Sequence, residues 1–291
     1  MSLPKPIPTI LVMLSALFVS GCSYISLVTV NLLSLGFDGE VIKDVAYGDM
    51  EIQKADIYLP NQLEGDAALP VIVFFHGGAW RDGNKGLYRF VGTALASRGF
   101  VVVVPDYRKY PQVVFPAFIE DTAAAIAWAF TNIEQYGGDP DHLFVSGHSS
   151  GAHMGALVLA DQRYLAEYEI SPEQVSGFVG LSGPYSFTPQ EEGIVEVFGD
   201  LDDYSPMQVD NFVDGNEPPM LLLHGLDDRT VGRINIERLQ PVLESNNVEV
   251  ISRFYPDTDH TSILANFSAP LQADSELIND MVEFMRAQMQ R

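Results

Sequence analysis

From residue 41 onward the chain alternates two kinds of segment. Short apolar runs bounded by Gly, Pro, Asn or Asp are followed by longer stretches whose apolar residues recur at helical spacing. Val71–Phe75, Phe100–Val104, Leu143–Ser146, Gly177–Leu181 and Met220–Leu223 are of the first kind. Runs without polar alternation belong to strands buried on both faces, as in parallel sheets. Phe118–Tyr136 is of the second kind and stops at Gly137-Gly138. Ser150 to about Ala160 predicts a helix of small residues, and Val231–Glu244 and Ser275–Gln290 predict two more around a strand at Glu249–Phe254. Val41–Tyr47 and Lys54–Leu59 predict an opening strand pair around a turn at Gly48-Asp49. Strands and helices in this order predict an α/β fold, a mostly parallel central sheet flanked by helices on both faces.

The pattern is interrupted twice. Near the start, Lys5 precedes an apolar run from Ile7 to Val19, the length of a signal-peptide core and short for a membrane span. The run ends in Val19-Ser20-Gly21-Cys22, which resembles the lipobox of bacterial lipoproteins. That resemblance implies a signal peptide over 1–21, a lipid on Cys22, a membrane-proximal segment over 22–40 and a globular domain over 41–291. The protein is then expected to be exported and held to a membrane by acyl chains, facing the periplasm or the cell exterior. An ordinary secretory signal, or an uncleaved anchor helped by Tyr24–Leu35, would be the alternatives. The second interruption, rich in acids, Pro and Gly, lies between Leu181 and Met220. It follows the carboxyl end of a strand, where α/β sheets bind ligands, so residues 184–218 are expected to form a small lid or else a solvated loop.

Composition narrows the classes. A chain of 291 residues that is 47% hydrophobic can bury one large core. Its 39 acidic against 16 basic residues give a net charge of −23, which repels nucleic acid and disfavours it as a partner. With a single cysteine, no intramolecular disulfide can form.

Chemistry concentrates at the ends of the predicted strands. Gly147-His148-Ser149-Ser150-Gly151 fits G-x-S-x-G between a buried strand and a small-residue helix, the context in which a serine stands exposed on a sharp turn. Only Ser149 has glycine two positions away on both sides, which makes it the expected nucleophile, and Ser150 follows with a backbone N–H for an oxyanion. His76-Gly77-Gly78-Ala79-Trp80 ends the strand Val71–Phe75, where the N–H groups of Gly78 and Ala79 can approach the same oxyanion. His76 itself reads as a structural hydrogen-bonding residue. In this strand–turn–helix context the nucleophile is followed by an acid and then by a histidine. His260 is the one histidine downstream of the candidate acids, in a polar loop before the last helix, and is the expected base. Asp227 and Asp228 are the two candidate acids after Met220–Leu223, while Asp257 and Asp259 stand too near His260 to orient it. His148 and His153 lack a carboxylate motif between them, so no metal site is expected.

Tyr47-Gly48-Asp49 with Asp56–Pro60, His76–Trp80, Asp106-Tyr107-Arg108, Tyr136–Pro140 and Gly147–His153 together resemble the carboxylesterase branch of the α/β-hydrolases. The likeness covers most of the chain after residue 41. Its His-Gly-Gly-x-Trp form is similar to isoprenylcysteine methylesterases and kynurenine formamidases. Asp259-His260-Thr261 and Tyr204-Ser205-Pro206 look most like the methylesterase group. The superfamily's recurring His-Gly-x-x-Asp-x-x-Val selects Asp228, with Val231 three residues on, over Asp227. Ala79 stands where the hormone-sensitive-lipase group has a third glycine, and Ser150 where the elbow usually has alanine; both keep a backbone N–H. The resemblance implies an α/β-hydrolase fold and a cofactor-free serine hydrolase acting on a small-molecule carboxylic ester. An arylformamidase-like amidase using the same residues, or a catalytically silent hydrolase fold that binds, are the alternatives. Arg108 and Asp121 are expected to anchor a loop rather than to react.

Overall fold

A computed structural model describes residues 31, 36–61, 68–199 and 203–291. The predicted signal segment and Cys22 lie outside the described residues. No helix among the described residues is long and apolar enough to cross a membrane.

One eight-stranded sheet runs through the molecule. Its strands are β1 (Glu40–Ala46), β2 (Lys54–Leu59), β3 (Leu69–Phe75), β4 (Val101–Pro105), β5 (Gly138–His148), β6 (Gly177–Leu181), β7 (Met220–Gly225) and β8 (Val250–Tyr255). Their order across the sheet is β1-β2-β4-β3-β5-β6-β7-β8. β1–β2 and β2–β4 pair antiparallel, and every later pair is parallel. The mostly parallel sheet read from the sequence is therefore the observed one.

Period-two packing explains why β3 and β4 lack polar residues. Val71, Val73 and Phe75 of β3 enter one core with Val101 and Val103 of β4, while Ile72 and Phe74 enter a second core with Val102 and Val104. Each such side chain contributes roughly 1.5–3 kcal/mol when fully buried. The first core is covered by helices α2 (Ala117–Asn132), α3 (Ser150–Ala160) and α5 (Ile234–Ser245). The second is covered by α1 (Arg89–Ala96) and α6 (Glu276–Gln288). A further helix, α4 (Glu192–Phe198), lies in the segment after β6.

Several boundaries differ from the sequence reading for local reasons. Helix α5 starts at Ile234 rather than Val231, because the Asp228 carboxylate accepts the N–H groups of Thr230 and Val231 and holds them in a turn. The predicted helix Phe118–Tyr136 becomes α2 followed by a tight 3₁₀ turn, Ile133–Tyr136, that closes on left-handed Gly137 at φ 78°. Helix α1 is missing from the sequence reading: it is eight residues long, and seven of them are buried.

Candidate active site

The carboxyl ends of β3, β5, β7 and β8 bring together the residues singled out above. β5 ends at His148 and α3 begins at Ser150, so Ser149 occupies the whole connection. Its backbone is forced to φ 53° and ψ −123°, a region disfavoured for any residue with a β-carbon. The flanking glycines make the bend possible. A β-carbon on Gly147 would lie 2.5 Å from the carbonyl carbon of Gly151, and one on Gly151 would lie 2.1 Å from the carbonyl oxygen of Phe75. The Ser149 N–H is bound to the carbonyl of Leu181 at 2.9 Å, which leaves the hydroxyl as its reactive group.

That hydroxyl meets His260. Ser149 Oγ lies 2.9 Å from His260 Nε2, and His260 Nδ1 lies 2.8 Å from Asp228 Oδ2. The other Asp228 oxygen accepts the N–H groups of Thr230 at 2.9 Å and Val231 at 2.8 Å. Burial pushes this carboxyl up, but its hydrogen bond to His260, the charge there and the Val231 N–H outweigh burial and hold it below the ordinary range. Asp227, the sequence's alternative acid, is exposed, and its N–H pairs with the carbonyl of Thr258. Asp259 caps the next turn, accepting from Thr261 N–H at 2.9 Å and Ser262 N–H at 2.7 Å.

The loop after β3 folds against this group. Gly78, Ala79 and Trp80 all have positive φ, at 139°, 50° and 56°. Two of them carry β-carbons, so the loop is strained where the sequence places oxyanion donors. Gly78 O anchors the turn by accepting from Arg81 N–H and Asp82 N–H. Among the described residues, the N–H groups of Gly78 and Ala79 donate to no partner. The N–H of Ser150, first in α3, has no acceptor within its helix. His76 is fully buried beneath the loop, stacked on Tyr107 at 4.4 Å, with Asp106 Oδ1 at 3.3 Å and the carbonyl of Gly77 at 2.9 Å. Arg108 pairs with the buried Asp121 at 2.8 Å, a loop-anchoring contact.

A BD-FAE family profile matches residues 55–243, more than half of the chain. The chain belongs to the BD-FAE family. Its resemblance to an isoprenylcysteine α-carbonyl methylesterase of Arabidopsis thaliana is 28% identity, covering 87% of this chain and 64% of that protein. It is 34% identical to esterase LipC of Mycobacterium tuberculosis, over 69% of this chain and 55% of the other. The chain thus spans less than two thirds of either relative. Among solved structures it resembles an inhibited esterase B from Lactobacillus rhamnosis, with a TM-score of 0.78, 19% identity, and coverage of 96% of this chain and 97% of that one. At that identity the likeness establishes the α/β-hydrolase fold.

In this BD-FAE chain several contacts at the site escaped the sequence reading. Trp80 stacks on Phe187 at 5.8 Å and meets Phe198 of α4 edge-on at 4.9 Å, which ties the loop after β3 to the segment after β6. Arg81 Nη1 strengthens that tie by donating to the Gly193 carbonyl, and it lies 3.3 Å from the Glu196 carboxylate. His153, one turn beyond Ser149, is buried edge-on to Trp80 at 5.2 Å, and its Nε2 lies 2.7 Å from the carbonyl of Met207. Burial keeps its pKa down at about 4, so it is neutral. No short motif announces these contacts. The aromatic spacing around Trp80 is local to neither segment.

Proposed function

We propose that this BD-FAE chain is a serine hydrolase that cleaves carboxylic esters through an acyl-enzyme. The observation that carries this reading is the unbroken hydrogen-bond chain from Ser149 Oγ through His260 to Asp228. In the first half-reaction His260 Nε2 takes the Ser149 proton as Oγ attacks the ester carbonyl. Asp228, already holding Nδ1–H, keeps the ring in the right tautomer and stabilises the imidazolium. The N–H groups of Gly78, Ala79 and Ser150 donate to the tetrahedral oxyanion, each worth about 3–4 kcal/mol in comparable sites. His260 then gives its proton to the leaving alkoxide. In the second half-reaction a water repeats the sequence, the acyl–Oγ bond breaks and a carboxylate leaves. Besides the ester and that water, the steps use only groups of the chain.

Hydrolysis of p-nitrophenyl acetate, butyrate and octanoate by the detergent-solubilised chain tests the reading. Turnover is expected to fall by at least about 10³-fold in Ser149→Ala. Equal turnover by the two proteins would end the assignment. Faster cleavage of an N-formyl anilide than of the matching esters would redirect it to an amidase.

We further propose that Cys22 carries a lipid that holds the hydrolase to a membrane, supported by the apolar run that ends in Val19-Ser20-Gly21-Cys22. Labelling of cells with an alkyne fatty acid is expected to tag the wild type and not Cys22→Ala. Equal labelling of both would refute the anchor.

A further inference from the structure

His148 sits inside the elbow, between Gly147 and Ser149, and its side chain leaves the strand for the loop that carries the base. Its Nε2–H donates to the backbone carbonyl of His260 at 2.9 Å. A carbonyl only accepts, so the bond fixes the proton on Nε2 and leaves Nδ1 bare. The two rings lie 4.8 Å apart at 42°. The bare edge faces the loop after β3: a β-carbon on Gly77 would lie 2.9 Å from His148 Nδ1 and 3.2 Å from Ser149 Cβ. One buried side chain, 5% exposed, therefore touches the elbow, the base loop and the oxyanion loop together.

We propose that His148 is a positioning residue, a neutral strut whose Nε2–H holds the His260 backbone where its ring reaches Ser149 and Asp228 at once. The proposal rests on the triad reading given above. The geometry makes the demand clear. The His260 ring must satisfy contacts of 2.9 Å and 2.8 Å on opposite edges, and its side chain has two torsions with which to do so. A shift of its Cα cannot be absorbed by both bonds. Neighbouring hydrogen bonds tie Asp227 to Thr258 and Ile263 to Asp259, whereas the bond from His148 reaches the backbone of His260 itself. Burial, and after it the charge of His260, hold the His148 pKa down at about 3. The strut therefore stays neutral while His260 gains and loses its proton, and it does not compete for that proton.

The test uses the full chain in detergent, with kcat and KM for p-nitrophenyl butyrate and a melting curve for each variant. Leucine fills the space without a donor. Glutamine reaches as far as the ring and offers an amide N–H, while asparagine is too short. We expect His148→Leu and His148→Asn to lose about 10–100-fold in kcat, with KM within about twofold and melting close to wild type. His148→Gln is expected to recover most of the lost kcat. Wild-type kcat in His148→Leu, or a kcat in His148→Gln as low as in leucine, overturns the proposal, the latter because ring shape rather than the N–H would then matter. If His148→Leu does not fold, the glutamine–asparagine pair decides: fast glutamine and slow asparagine support the strut, and equal rates overturn it. Ser149→Ala, run alongside, separates the two readings. Turnover that survives Ser149→Ala removes the triad and the strut together. Serine-dependent turnover that ignores His148 removes only the strut.

Discussion

The loops at the ends of β3 and β5 and those at the ends of β7 and β8 meet at one site but are held differently. The first pair is wedged. Gly147 and Gly151 allow no β-carbon, Ser149, Ala79 and Trp80 are twisted to positive φ, and the contacts that enforce this are with backbone atoms. The second pair is strung on polar side chains. Asp228 gathers the N–H groups of Thr230 and Val231, Asp259 gathers those of Thr261 and Ser262, and His148 reaches across to His260. The difference separates two tasks. In the proposed mechanism the nucleophile and the oxyanion donors stay fixed as charge develops, since preorganised donors cost no rearrangement at that moment. In that mechanism the base receives a proton from one partner and delivers it to another, so hydrogen bonds hold its backbone and its ring between the two.

The largest break is expected on the wedged side. Gly151→Ala would drive a methyl to 2.1 Å from the Phe75 carbonyl oxygen, where β3 ends and α3 begins and the atoms met are backbone rather than a flexible side chain. We expect no cooperatively melting protein, as followed by circular dichroism; a wild-type melt would contradict the wedge. On the strung side, Asp228→Asn should keep the fold, because the amide oxygen can still accept from Thr230 and Val231. Its kcat should nevertheless drop by about 10⁴-fold, since an amide does not enforce the Nδ1–H tautomer. A loss of folding together with activity would show that this loop is wedged as well.

Acid sharpens the comparison further. His148 and His153 are held neutral by burial, with values near 3 and 4 against an ordinary 6.5. Below pH 6.5 the unfolded chain binds protons at these positions that the folded chain refuses. Their contribution to stability is thus complete above about pH 6.5 and declines as the pH falls through their folded values. The urea midpoint should fall between pH 7 and pH 4, and His148→Gln should show a shallower slope. A slope unchanged by that substitution would mean His148 is protonated in the native state. The smallest effect is expected at Asp259→Ala, which loses a cap worth about 1 kcal/mol and shows in the melting temperature before it shows in kcat.

How much of this was legible in the sequence follows the range of the interactions. Strands β3, β4, β6 and β7 were legible because burial on both faces leaves an uninterrupted apolar run. Ser149 was legible from the local spacing of its glycines, His260 from its place after the candidate acids, and Asp228 over Asp227 only through the resemblance to His-Gly-x-x-Asp-x-x-Val. Helix α4 and the Trp80–Phe187–Phe198 packing were not, since the segment after β6 shows only its acids, Pro and Gly along the chain. The His148–His260 bond joins residues 112 apart, as does the contact of Arg81 with Gly193. No local period encodes partners at that distance; they follow from the sheet that brings the loop ends together.

The order of the strands also decides when the chemistry becomes available during synthesis. Ser149 lies near the middle of the 291-residue chain, whereas Asp228 and His260 arrive with β7 and β8, the last two strands described. A nascent chain therefore carries a serine without a base, and its hydroxyl is no more nucleophilic than that of any other serine. In the proposed mechanism the half-made protein is inert toward esters until β8 has docked beside β7. Ester turnover then counts only those molecules whose last strand is home. That makes it a stricter gauge of finished folding than solubility or helix content.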